Sequence, residues 1–251
     1  DDHALGDWLQ LEVRGVHGPW GKDAVAVENA AGNDLDNKIA ATKNHPVDNV
    51  IEGHGGDDEL HGHGGDDVIR GGDGTDKMHA GKGNDTVVVD NADAYGLVDE
   101  PNSNAGKIDG GPGEDTVKIA GGVQLDSGLQ LEARGGHGPW GKDVVAFENA
   151  TGNSQDNMIV DGTYGPNEIR GLAGDDELHG KGGDDLLIGG PGADIIHGDG
   201  GDDTVHVDPS DDPEDITGGM GTDTLVLTSF EMNHHYWRQE TSGFDEFTYL
   251  G

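Results

Sequence analysis

The sequence predicts an all-β chain: a right-handed parallel β-roll, that is, a β-solenoid, in two tandem modules. Three observations predict it. A nine-residue glycine/aspartate motif recurs in uninterrupted blocks, a longer segment containing it is duplicated, and the composition leaves little apolar matter for any other kind of core.

The composition sets the problem. The 251 residues carry 51 acidic side chains against 14 lysines and arginines, a formal charge of −37, with 47 glycines. Leu, Ile, Val and Phe together make up about a fifth of the chain, at the edge of the disordered class. Glycine raises the entropic cost of ordering further. A divalent cation would supply what the core lacks, by neutralising carboxylates and joining loops at once. The acidity excludes the basic face that nucleic acid requires. The absence of cysteine excludes disulfides, thiolate zinc sites and cysteine nucleophiles. No apolar run reaches the length of a membrane-spanning helix, and no signal peptide is visible. The chain begins at Asp1 without a methionine, as a piece of a longer protein would.

The duplication sets the modules. LQLEVRGVHGPWGKDAVAVENAAGN from Leu9 recurs from Leu129 as LQLEARGGHGPWGKDVVAFENATGN. GHGGDDELHG from Gly53 recurs as GLAGDDELHG from Gly171, and GGPGEDTVKI from Gly110 as GGMGTDTLVL from Gly218. Module 1 is expected over 1–122, with a strand cap at 6–30, a repeat block at 53–88 and an isolated unit at 110–118. Module 2 is expected over 123–251, with a strand cap at 126–150, a block at 171–206, an isolated unit at 218–226 and a C-terminal cap at 228–251.

Within each block the period is nine. Units begin at Gly53, Gly62, Gly71 and Ala80, then at Gly171, Gly180, Gly189 and Gly198, with isolated units at Gly110 and Gly218. The sixth place is aspartate in every unit: Asp58, Asp67, Asp76, Asp85 and Asp115, then Asp176, Asp185, Asp194, Asp203 and Asp223. The eighth place is always Leu, Ile, Val or Met. The last three places therefore read as a short strand with one inward side chain. Leu60, Ile69, Met78 and Val87 form that inner set in the first block, and Leu178, Leu187, Ile196 and Val205 in the second. Strands this short bury too little alone, so coils must stack, with about 4.8 Å between neighbours. The first six places form the turn. Their glycines admit left-handed backbone angles and let carbonyls converge. Calcium takes six to eight oxygens at about 2.3–2.6 Å, and carbonyls with aspartate carboxylates supply them without bulk.

These units resemble the RTX, or haemolysin-type, calcium-binding repeat, G-G-x-G-x-D-x-U-x. The resemblance implies several bound calcium ions, each shared between turns stacked on one edge. The implied ligand pairs are Asp58 with Asp76, Asp67 with Asp85, Asp176 with Asp194 and Asp185 with Asp203, with Asp115 and Asp223 serving the isolated units. The turn residues expected to join them are Gly53, Gly55, Gly62, Gly64, Gly71 and Asp73, then Gly171, Gly180, Gly182, Gly189, Gly198 and Gly200. The chain departs from the pattern where the second glycine is His54, His63, Leu172, Lys181 or Asp199. Asn37, Asn49, Asn157 and Asn167 take the aspartate place in degenerate upstream turns, expected to be caps closed by amide hydrogen bonds. The resemblance also implies a secreted, extracellular or cell-surface protein exported by a type I system.

No HExxH, GxSxG or phosphate-loop motif is present, and adjacent carboxylates that recur every nine residues read as structure, not as an acid/base pair. The chain is therefore read as a non-catalytic structural or adhesive module. The alternatives are the calcium-binding part of a secreted enzyme whose catalytic domain lies outside this chain, and a carbohydrate-binding module using Trp20 and Trp140 in the HGPWGKD loops. Those loops otherwise read as strand connections that cap each roll. His61 with His79 and His179 with His197 share the ninth place and should stack on an outer face, where zinc or nickel is the sharper reading and a solvated ladder the plainer one. Partners other than calcium are a glycan or cell surface; oligomeric state stays open.

Overall fold

The computed structural model describes residues 9–10, 29–41, 46–90, 93, 108–122, 129–130, 144–145, 147–160, 164–229, 237 and 241–250. Trp20 and Trp140, with most of the two expected strand caps, lie outside the described residues. Two compact units are present, one of residues 1–118 with 137–147, the other of 119–136 with 148–251.

In the first unit the strands are β1 (Leu9–Gln10), β2 (Asn29–Ala31), β3 (Lys38–Ala40), β4 (Val50–Gly55), β5 (Glu59–Gly64), β6 (Val68–Asp73), β7 (Lys77–Lys82), β8 (Thr86–Val89), β9 (Ile108–Asp109) and β10 (Thr116–Ile119), which reaches the boundary. Successive strands alternate between two sheets. One runs β1-β2-β4-β6-β8-β10 and the other β3-β5-β7-β9, joined by β12 (Val144–Val145). The strands pair in parallel, and within the repeat block the register joins residues 18 apart, as in Ile51↔Ile69↔Val87. Two nonapeptides thus make one coil.

The second unit repeats the plan. Its strands are β11 (Leu129–Gln130), β13 (Asn149–Thr151), β14 (Met158–Val160), β15 (Glu168–Arg170), β16 (Glu177–His179), β17 (Leu186–Ile188), β18 (Ile195–Gly200), β19 (Thr204–Val207), β20 (Ile216–Met220), β21 (Thr224–Leu227) and β22 (Glu246–Tyr249). One sheet runs β13-β15-β17-β19-β21-β22 and the other β11-β14-β16-β18-β20. The fold is the all-β parallel β-roll that the nonapeptide period predicts. Among the described residues no helix is long and apolar enough to cross a membrane.

The eighth-place side chains make the core. Leu60, Ile69, Met78, Val87, Leu178, Leu187, Ile196 and Val205 are all fully buried. They stack in columns, Ile169↔Leu187↔Val205↔Leu225 on one sheet and Ile159↔Leu178↔Ile196↔Ile216 on the other. Period-two alternation explains this: only one residue of x-U-x faces inward, and its neighbours stay half-exposed. Strands β4 to β7 and β18 are longer than the expected three residues, because the first turn residues keep pairing, as in His54↔Gly72 and His63↔Gly81.

The C-terminal segment packs as a further coil. Strand β22 pairs with β21, which sets Phe247 opposite Leu225, and Trp237 is buried.

Candidate metal centre

The sixth-place aspartates form continuous ladders along the edges of each unit. Each accepts, through Oδ1, the main-chain N–H of its counterpart one coil earlier. On one edge of the first unit Asn37 donates to Asp58 (2.6 Å), Asp58 to Asp76 (2.8 Å) and Asp76 to Asp93 (2.9 Å). On the other edge Asn49 donates to Asp67, Asp67 to Asp85 and Asp85 to Asp115, at 2.7–2.8 Å. The second unit carries Asn157–Asp176–Asp194–Asp211 on one edge. Asn167–Asp185–Asp203–Asp223 lies on the other. Asp115 and Asp223 thus rejoin the stack after their insertions. The sequence pairs Asp58/Asp76, Asp67/Asp85, Asp176/Asp194 and Asp185/Asp203 are direct ladder neighbours.

The second carboxylate oxygen is the informative one. Oδ2 of Asp58, Asp67, Asp76, Asp85, Asp176, Asp194, Asp203 and Asp223 is buried without a hydrogen-bond partner. A buried, unsatisfied polar atom costs about 1–3 kcal/mol, more when charged. Such a cost repeated at these eight aspartates marks a place for a counter-charge. Burial pushes Asp58 and Asp85 up to about 7 and Asp176, Asp194 and Asp203 up to about 6, with neighbouring carboxylates adding to the rise and main-chain N–H donors opposing it. Desolvation raises Asp67 and Asp223 as well.

The glycines divide by role. At the first places, Gly53, Gly62, Gly71, Gly171, Gly180, Gly189 and Gly198, a Cβ would collide with the Oδ2 of the same unit's aspartate. At Gly171 and Gly180 the first-place carbonyl of the next coil lies 2.8 Å from that same point. At Gly53, Gly62, Gly171, Gly180 and Gly198 a carboxylate oxygen and a carbonyl of the next coil therefore converge in a cradle where a Cβ would stand, whereas the unit that carries Asp85 has Ala80 in that place. The third-place residues stand apart from this cradle. Gly55, Gly64, Gly182 and Gly200 meet nothing closer than 3.3 Å, and Asp73 is exposed. At the second place His54, His63, Leu172, Lys181 and Asp199 all adopt φ between 66° and 84°. The turn keeps the left-handed backbone there without glycine, so the departures from the motif do not alter its path.

The asparagine turns behave differently. Asn37 and Asn157 accept, through Oδ1, the N–H of Asn33 and Asn153. The side-chain amides of Asn49 and Asn167 donate to the carbonyls of Val47 and Glu148. The asparagine side chains thus bond within their own coil or to its neighbour's backbone, and Asn49 Nδ2 also donates to Asp67 Oδ1 (2.8 Å).

Sequence reasoning missed three ladder members. Asp93 and Asp211 stand 17 residues, not 18, beyond their partners. Both oxygens of Asp211 accept main-chain N–H groups, of Asp194 and Asp208, and Asp93 does the same with Asp76 and Asp90. Asp245 accepts from Asp223. The fifth place was also missed: Asp57, Asp66, Asp175, Asp184 and Asp202 accept the N–H of the following coil, an outer ladder of opposite sense.

The histidines stack as expected, His61 on His79 and His179 on His197, each at 4.9 Å between ring centres, with Glu59 and Glu177 beside the first of each pair. Among the described residues, no three His, Asp or Glu side chains converge as a metal-holding group. A cation on these turns would therefore draw on main-chain carbonyls together with carboxylates. That donor set, all oxygen and without bulk, fits calcium and does not fit a soft transition metal.

The family model of the RTX calcium-binding nonapeptide repeat matches the chain in four copies, over residues 48–87, 151–187, 161–195 and 179–212. No curated protein matches it. Those stretches carry the RTX calcium-binding nonapeptide repeat, and the β-roll they form is a calcium-binding structural module.

Proposed function

We propose that calcium is the folding switch of this chain, and that the folded roll is a non-catalytic structural or adhesive module of a secreted protein. The observation that carries the reading is the row of buried Asp Oδ2 atoms without partners. In their ionised form these carboxylates oppose the fold, and a divalent ion bound between stacked turns removes that opposition. The ligands are the sixth-place aspartates, each ion shared by ladder neighbours such as Asp67 and Asp85. The two units act as tandem modules that arose by duplication, as the recurrence of GPWGKD and GDDELHG supports. The asparagine turns hold no ion.

Where calcium is scarce, a charge of −37 keeps the chain expanded; where it is near millimolar, binding supplies folding free energy by linkage. That behaviour suits export in an unfolded state through a type I system, followed by folding outside the cell. Far-ultraviolet circular dichroism tests it: the chain should be disordered in excess chelator and gain parallel β-structure as calcium is added. A β-rich spectrum that calcium leaves unchanged would refute the switch.

A further inference from the structure

The aspartate ladders end in two distinct ways. In the second unit, the Asp176–Asp194 edge ends on Asp211, whose two oxygens are both taken by main-chain N–H groups. The Asp185–Asp203–Asp223 edge ends otherwise. Its last nonapeptide aspartate, Asp223, is fully buried, and its Oδ2 has no hydrogen-bond partner. Above it lies a stretch that matches no nonapeptide, Ser242-Gly243-Phe244-Asp245.

That stretch occupies the place of a repeat turn. Gly218 donates its N–H to the Ser242 carbonyl (3.0 Å), and Asp245 and Glu246 donate theirs to the Asp223 carbonyl (2.9 Å each). Asp223 N–H in turn points to Asp245 Oδ2 at 3.3 Å, which continues the ladder. A Cβ built on Gly218 would stand 2.8 Å from Asp223 Oδ2 and closer still to the Gly243 carbonyl. The turn below repeats the arrangement, with Asp203 Oδ2 and the Gly218 carbonyl flanking Gly198. Gly243 also holds φ +75°, a left-handed angle of the kind that recurs in the repeat turns. A buried carboxylate oxygen and a carbonyl thus converge beside Gly218, and the Asp245 carboxylate stands at the Asp223 N–H; such oxygens are what a hard cation takes.

We propose that residues 242–245 are a contracted repeat turn that completes a further calcium site with Asp223, so that the ion pins strand β22 to the roll. The inference rests on the reading that sixth-place carboxylates ligate calcium, and extends it to Gly243 and Asp245, outside the motif. Asp245 is exposed, so water would fill the remaining coordination positions.

The test uses the full chain. Equilibrium dialysis against calcium should show one ion fewer for Asp245→Asn than for the parent. Losing even an outer-shell partner typically costs a metal site roughly tenfold or more in affinity, and a direct ligand should cost at least that. Hydrogen–deuterium exchange on the parent chain keeps the test independent of how the variant folds: amides of 246–249 should become protected as calcium is added. Unchanged stoichiometry in Asp245→Asn, or protection of 246–249 that ignores calcium while β17 and β19 respond, overturns this site and leaves the calcium reading standing. A parent chain that binds no calcium overturns both.

Discussion

Replacing Gly180 by alanine isolates the cradle from every other role of glycine. Its φ is not in the left-handed region, so alanine is conformationally allowed there. At such a position the substitution should stabilise a protein by about 0.4–1 kcal/mol, because it restricts the unfolded chain. The cradle predicts the opposite sign. The new Cβ would stand 2.6 Å from Asp185 Oδ2 and 2.8 Å from the Gly198 carbonyl. Reaching an ordinary contact of roughly 3.5 Å requires each oxygen to move by the better part of an ångström. Calcium–oxygen distances span only about 0.3 Å, so an ion held by those atoms is lost or loosened. Overpacking of this kind costs about 1–3 kcal/mol even before the ion is counted. Urea denaturation in saturating calcium measures the net effect, with Gly121→Ala as the control, since nothing lies within 4 Å of a Cβ there. Gly180→Ala should be clearly destabilised and require more calcium to fold, and Gly121→Ala should do neither. A Gly180→Ala chain as stable as its parent, with an unchanged calcium midpoint, would refute the claim that Gly180 is needed to admit the Asp185 carboxylate and its ion.

Two further predictions follow from the same turns. The folded-state pKa values of Asp58 and Asp85 are raised to about 7, above the unfolded value. The calcium-free fold therefore binds more protons than the unfolded chain between about pH 4 and pH 7, and loses stability as pH rises through that window. Calcium needs the deprotonated form, so its binding midpoint should fall to lower concentration from about pH 5.5 to about pH 8; a midpoint independent of pH would contradict the burial of these groups. In the core, Leu187 lies fully buried between Ile169 and Val205, and Leu187→Ala should cost about 2–5 kcal/mol in calcium-saturated denaturation. Leu172→Ala, at an exposed turn position, should stay within about 0.5 kcal/mol of the parent, and equal losses at both leucines would sink the assignment of the inner face.

Much of this architecture was legible from the period of nine. A strict place for Asp58 and its equivalents, two residues before an apolar place, encodes both ladder and core column. The burial of Leu60 and Leu178 needed only the alternation of a strand. What escaped was whatever left the period. Asp93 and Asp211 close their edges from loops, and only the recurrence of Asp-x-x-Asp, as Asp90/Asp93 and Asp208/Asp211, could have pointed to them. Asp245 belongs to a turn three residues shorter than a repeat turn, which no alignment of nonapeptides would include. The sequence also left first-place and third-place glycines indistinguishable. Their roles diverge only once the next coil is stacked, when Gly180 faces the aspartate while Gly182 packs against Tyr164. Likewise, His54 and Lys181 look like defects in the motif until their φ values show that they hold the same left-handed bend as glycine.

The most direct test of the account is the position of the ions. Anomalous diffraction from crystals grown in calcium should show peaks between ladder neighbours such as Asp58 and Asp76, each with a sixth-place Oδ2 about 2.3–2.6 Å away and main-chain carbonyls completing the shell. Cradles occupied by water alone, or calcium bound only to the exposed fifth-place carboxylates, would contradict it.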